Sequence, residues 1–322
     1  MRALVALVVL GASLTLGADR SPLHPDVRGA SLGLFASEPD YDYEAMVAEI
    51  ANRGASDLWV VDRIVQRDLS ASELHRVPGE SPSLATVRRT LRQGRERGMR
   101  VGLMLIVGLE VRRPGEWRGE IQPTDREEWF ASYERHLDAL ARVAQAEGVR
   151  HLVIGSELNG LEPHAERWRS LAASARDHFG GELLYSANWD RYARVPFWDA
   201  VDAIGVSAYF RVDGPEGPRA VWDRELAALE RFAEGKPVVL TEVGYPAHAE
   251  AARYPWDETR SREVDATLQA SLLGAFCDAY EARPGAGYVV WNWFGVGGPR
   301  DGGYSPRGKP AAQRFGRCME VR

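Results

Sequence analysis

The sequence predicts a single-domain α/β fold, a closed (β/α)8 TIM barrel, and three observations carry that expectation. From residue 29 onward, short apolar, β-branched runs alternate with longer amphipathic runs rich in Ala, Arg and Glu, which is the order of parallel βα units. The strand-like runs number eight, the count that closes a barrel. No linker divides the chain, and 322 residues suit one large barrel. A doubly wound open sheet alternates in the same way, but it usually carries a Gly-rich first turn, and none follows the first strand here.

Taken in order, strands are expected over residues 31–35 and 58–62, the second reading Leu58-Trp-Val-Val-Asp62, and then over 101–107, seven apolar residues in succession. The fourth, 151–157, ends Gly-Ser-Glu157, and the fifth and sixth fall at 183–187 and 203–208. The seventh, 237–242, ends Leu-Thr-Glu242, and the eighth spans 288–293. Amphipathic helical patterns separate them at 43–53, 83–97, 125–147, 163–179, 223–234 and 262–282, with a last helix at 309–317. The catalytic domain is expected to run from residue 29 to the end.

Composition narrows the partners. Hydrophobic residues make up 45% and charged residues 27%, with ten Trp, which excludes disordered, collagenous and coiled-coil classes. The 40 Lys+Arg against 46 Asp+Glu leave a net charge of −6, with no electrostatic drive toward nucleic acid or an anionic membrane. Met1-Arg2, an apolar run over 3–16 and the small pair Gly17-Ala18 read as a signal peptide over residues 1–18, so the mature protein is expected to be secreted or periplasmic. An uncleaved anchor is the alternative. No later segment is long and apolar enough to span a membrane. Cys277 and Cys318 sit in two late helical patterns, where one disulfide or two buried thiols are both open readings.

Two familiar patterns carry no chemistry here. Gly29-Ala-Ser31-Leu-Gly33 matches G-x-S-x-G, but Ser31 enters a strand instead of standing on a strand-to-helix turn. Gly303-Tyr-Ser-Pro-Arg-Gly308-Lys309-Pro310 resembles a phosphate loop, yet Pro310 replaces the hydroxyl residue that reaches magnesium. The seven His form no H-E-x-x-H, so neither a metal nor a cofactor is expected.

What remains is a pair of carboxylates. Glu157 and Glu242 end the fourth and seventh strands, 85 residues apart, a gap filled by three βα units of about 28 residues each. Both should reach the same mouth, where barrel enzymes carry their reactive groups. Cleaving an acetal needs a protonated carboxyl for the leaving oxygen and an ionised one near the developing oxocarbenium carbon. Sugar rings need flat apolar platforms and amide or hydroxyl partners. Ser186-Ala-Asn188-Trp189-Asp190, Ser207-Ala-Tyr209-Phe210 and Trp291-Asn-Trp293-Phe supply them at the ends of strands five, six and eight. Asn188, Trp189, Tyr209 and Trp291 are the expected substrate contacts; Trp293 and Phe210 read as packing residues.

Several strings resemble glycoside hydrolase family 113, the β-mannanase family, within clan A of the barrel glycoside hydrolases. They are Gly115-Glu-Trp117-Arg-Gly119-Glu-Ile121, Ile154-Gly-Ser-Glu157-Leu, Leu184-Tyr-Ser-Ala-Asn188-Trp189-Asp190, Phe197-Trp198-Asp-Ala-Val-Asp202-Ala-Ile-Gly205-Val-Ser-Ala-Tyr209-Phe210 and Thr241-Glu242-Val-Gly244-Tyr245. The resemblance implies a retaining hydrolase of β-linked polysaccharide or oligosaccharide, with β-1,4-mannan first. It implies Glu157 as acid/base, Glu242 as nucleophile, Tyr209 holding the nucleophile, Trp291 flooring the reacting sugar, and Trp117 as a further sugar contact. The third strand departs from the family, ending Ile106-Val107-Gly108 where Lys-Pro-His is usual. A carbohydrate-binding barrel without catalysis and a transglycosylase with the same glutamates are the rival expectations.

Overall fold

The computed structural model describes residues 26–320 apart from position 39. The leader expected over residues 1–18 lies outside the described residues. Eight parallel strands, β1 (Arg28–Gly33), β2 (Asp57–Gln66), β3 (Arg100–Leu109), β4 (His151–Ser156), β5 (Glu182–Asn188), β6 (Ala203–Ser207), β7 (Val238–Val243) and β8 (Gly287–Val290), close in chain order, with β8 pairing back onto β1. The outer layer is α1 (Glu44–Ala51), α2 (Leu84–Glu96), α3 (Arg126–Ala146), α4 (Ala165–His178), α5 (Pro218–Ala233), α6 (Ala266–Ala282) and α7 (Ala311–Glu320). The expected (β/α)8 barrel is the fold observed.

Period-two alternation along the strands builds two cores. Trp59, Val61, Met104, Ile106, Val153, Leu184, Val239 and Val289 fill the barrel interior. Leu58, Val60, Leu103, Leu105, Leu183 and Leu240 face outward against the helices. Helix starts are set by local chemistry. Ser83, Asp125 and Asp265 each accept a hydrogen bond from the backbone N–H three residues on, satisfying donors at the first turns of α2, α3 and α6. Pro218 opens α5, five residues before the expected start, because its fixed φ suits the first helical position.

Strand bounds shift from expectation by up to four residues, with β1 beginning at Arg28 instead of residue 31 and β2 running on to Gln66, and two of the shifted ends bear on the site. β8 stops at Val290, and Trp293 turns outward to pack on Phe315, its Nε1 donating to Glu49 at 2.9 Å. β4 stops at Ser156, and Glu157 adopts φ +55°, a left-handed conformation costly for a residue with a side chain. Cys277 on α6 and Cys318 on α7 form a disulfide, resolving the two open readings. Among the described residues no helix is long and apolar enough to cross a membrane.

Candidate active site

Above the apolar interior layer lies a layer of hydroxyls. Ser186 on β5 is hydrogen-bonded to Ser207 on β6 at 3.1 Å and to Thr241 on β7 at 2.5 Å. Register shifts in β4 between Val153 and Ser156, and in β7 between Leu240 and Val243, break strict alternation just below the mouth. Bulges of this kind re-aim side chains near functional sites. The β4 shift brings Ser156 inward, where its Oγ lies 3.4 Å from Glu242 Oε1.

Glu157 and Glu242 meet on this layer, and both are buried. The residue joining them is Arg118, on the short 3-10 helix Arg118–Glu120 that follows β3. Its Nη2 lies 2.7 Å from Glu157 Oε2 and 3.9 Å from Glu242 Oε1, and its Nε donates to the Ser156 carbonyl at 3.2 Å. Burial works against the guanidinium charge, but Glu157 and Glu242 outweigh it and hold Arg118 protonated. Tyr209, just past β6, donates its hydroxyl to Glu242 Oε2 at 2.7 Å; burial and the Glu242 charge keep that hydroxyl protonated. Burial, reinforced by the Glu157 charge, pushes the Glu242 carboxyl up to about 8, with Arg118, Tyr209 and Ser156 pulling the other way. Burial thus favours the protonated form of the Glu242 carboxyl at neutral pH.

The turn carrying Arg118 is fixed from below. Gly160 N–H donates to the Gly119 carbonyl at 2.9 Å, and any side chain at Gly160 would meet the Ile121 carbonyl oxygen at 2.4 Å. Trp117 folds its ring over Gly119. The backbone after Glu157 is held by a buried relay. Leu158 N–H donates to the Tyr185 hydroxyl at 3.0 Å, which donates to Glu162 at 3.1 Å, and Arg191 stands 3.6 Å from the other Glu162 oxygen.

The remaining expected contacts line the same mouth. Trp291 caps the interior cluster, 6.3 Å from the Phe35 ring. Asn188 ends β5, and its buried amide oxygen accepts no hydrogen bond among the described residues. Trp189 is half-buried, stacked on Trp256 with ring centroids 5.8 Å apart. Phe210 and Trp293 are buried packing residues, as expected.

Sequence reasoning missed Arg118, although it stands beside Trp117 inside a quoted string; an arginine gives no signal until its neighbours in space are known. It also missed Arg63, on β2. A side chain at Gly108 would meet Arg63 Cδ at 3.2 Å, so Arg63 leans over the sector where β3 lacks the family's polar residues. Its guanidinium lies 5.3 Å from the Phe35 ring centre and is paired with Glu80 at 2.6 Å.

A closed parallel barrel whose fourth and seventh strands deliver two buried glutamates to one mouth defines the chain as a clan A barrel glycoside hydrolase, an O-glycosyl hydrolase. The family model for glycoside hydrolase family 113 matches residues 35–298, and the chain belongs to that family. It is similar to the family 113 β-mannanase from Alicyclobacillus acidocaldarius solved in complex with ManMIm, at 27% identity and a TM-score of 0.82, covering 91% of this chain and 96% of that one. A family 113 β-1,4-mannanase at 21% identity superposes with a TM-score of 0.83, covering 92% and 99%. The endo-β-1,4-mannanase from Thermotoga petrophila, at 12% identity and a TM-score of 0.61 over 92% and 76%, shares the barrel. No curated protein matches the sequence.

Proposed function

We propose that this hydrolase cleaves β-1,4-mannan or mannooligosaccharides with retention of configuration, and that it acts outside the cytoplasm. The observation that carries the mechanism is the single Arg118 nitrogen in reach of both carboxyls. The separation of Glu157 Oε2 and Glu242 Oε1 cannot exceed the 2.7 Å and 3.9 Å contacts laid end to end. A limit of that size accommodates the roughly 5–5.5 Å separation of retaining sites. The identity with the Alicyclobacillus mannanase supports the choice of sugar. The Cys277–Cys318 disulfide and the leader-like N-terminal sequence support export.

In the proposed cycle Glu157 donates a proton to the departing glycosidic oxygen as Glu242 attacks the anomeric carbon. Water then attacks the glycosyl-enzyme, with Glu157 taking the water's proton. In the free protein burial favours the protonated form of Glu242, whereas attack on the anomeric carbon needs that carboxyl ionised. A shift of Arg118 toward Glu242 favours the ionised form of that carboxyl, because a guanidinium stabilises the carboxylate it is nearer. Substrate binding is the event assigned to that shift, and Tyr209 then shares in holding the ionised Glu242.

Proton NMR of β-1,4-mannohexaose hydrolysis tests the reading: the β-anomer is expected first, and an α-anomer first would overturn retention. Glu157→Ala and Glu242→Ala should each lose at least about a thousandfold in turnover. On an aryl β-mannoside, azide should rescue Glu157→Ala with formation of the β-mannosyl azide and Glu242→Ala with formation of the inverted α-mannosyl azide. Equal turnover of mannan, glucan and chitosan would remove the choice of mannan.

A further inference from the structure

Beyond the mouth, the long connection over residues 244–265 between β7 and α6 carries Trp256, one of the few large hydrophobic side chains left in solvent, at 44% exposed. Its ring stacks on Trp189 with planes only 21° apart, and Tyr254 meets it edge-on at 6.0 Å. Trp189 thus covers one indole face, and the ring still leaves much of its surface in solvent. Both supports of this pair lead back to the carboxylates. Trp189 directly follows Asn188 on β5 and packs edge-on against Phe210, the neighbour of Tyr209. On the other side, the Pro255 carbonyl accepts the Tyr304 hydroxyl at 2.7 Å, and the Tyr304 ring lies 5.9 Å from Tyr209, whose hydroxyl reaches Glu242.

A flat indole held in water by such bracing costs solvation free energy that the isolated fold does not recover, and a contiguous exposed apolar surface beside a cleft marks a contact surface. We propose that Trp256, backed by Trp189, forms an outer sugar subsite that stacks a hexopyranose unit of the substrate chain several residues from the scissile bond. The occupant is the substrate chain itself, because the contacts that brace the shelf lead through Phe210 and Tyr304 to Tyr209 beside Glu242. This rests on the mannan reading above. A distal subsite of this kind selects for longer chains and for internal cleavage.

The test measures binding to the catalytically silent Glu157→Gln protein, with and without Trp256→Ala, by isothermal titration with β-1,4-mannohexaose and β-1,4-mannobiose. Loss of the shelf should weaken hexaose binding about tenfold, the equivalent of about 1.4 kcal/mol, and change biose binding less than twofold. Trp256→Phe should recover most of the affinity, and matched melting curves separate the effect from unfolding. Equal losses for both sugars, or no loss for hexaose, overturn the subsite while leaving the mannan reading intact. Failure of Glu157→Gln to bind either sugar overturns the mannan reading and the subsite with it.

Discussion

Arg118 holds two buried carboxyls with one nitrogen, at 2.7 Å and 3.9 Å, and the charge balance of the site depends on it. Arg118→Met leaves Glu157 and Glu242 facing each other, with Tyr209 and Ser156 the remaining donors to Glu242 among the described residues. Two carboxyls without a counter-charge resist ionisation, so the acid limb of the kcat/KM profile should move to higher pH, and activity at neutral pH should fall about 100-fold. An unmoved acid limb would remove Arg118 from proton allocation. The same burial has a cost in stability. The folded Glu242 carboxyl titrates near 8 against an ordinary value of 4.5, so its contribution to stability is fully present below about 4.5 and is lost as pH rises through about 8. Glu242→Gln should therefore melt above the wild type, by a margin that widens from about pH 5 to about pH 9. A constant margin in melting curves across that range would contradict the assignment. Asn188 adds a different residue-level signal, a buried amide oxygen with no hydrogen-bond partner among the described residues.

The elements divide between those that position the site and those that hold the shell. The shift in β4 aims Ser156 at Glu242, and the backbone that follows takes a left-handed turn at Glu157, an expense met by the Leu158–Tyr185–Glu162 relay. The 3-10 turn after β3 docks on Gly160, which binds the β3 and β4 connections into one wall. On the opposite side of the shell, the Cys277–Cys318 bridge joins α6 to α7 across 41 residues. Closing a loop of that length restricts the unfolded chain by about 4 kcal/mol. Cys277→Ser with Cys318→Ser should lower Tm by roughly 5 °C and leave turnover within about twofold, since neither cysteine touches the mouth. Calorimetry under non-reducing conditions, paired with a mannan assay, measures both.

For the whole molecule, the barrel was legible because hydrophobic period and strand count are properties of short windows. The alternation at Leu58-Trp-Val-Val-Asp62 already separates the residues that face the interior from those that face the helices. Glu157 and Glu242 were legible because a barrel sends every strand end to one face, so a regular βα repeat converts an 85-residue gap into proximity. Tyr209, Trp291, Asn188 and Trp189 followed from the same rule. Arg118 and Trp256 did not, because they stand on a connecting turn and on a long loop, where no periodicity links sequence position to direction. The left-handed Glu157 and the strand bulges were equally hidden, since they arise from competition between neighbouring strands. Sequence alone determined the eight-stranded barrel and the pair of carboxyls at its mouth, through local patterns repeated along the chain. How Arg118 couples the two carboxyls and where an outer sugar is received were decided only by tertiary structure, because charge coupling and ring stacking depend on distances of a few ångströms between residues far apart in the chain.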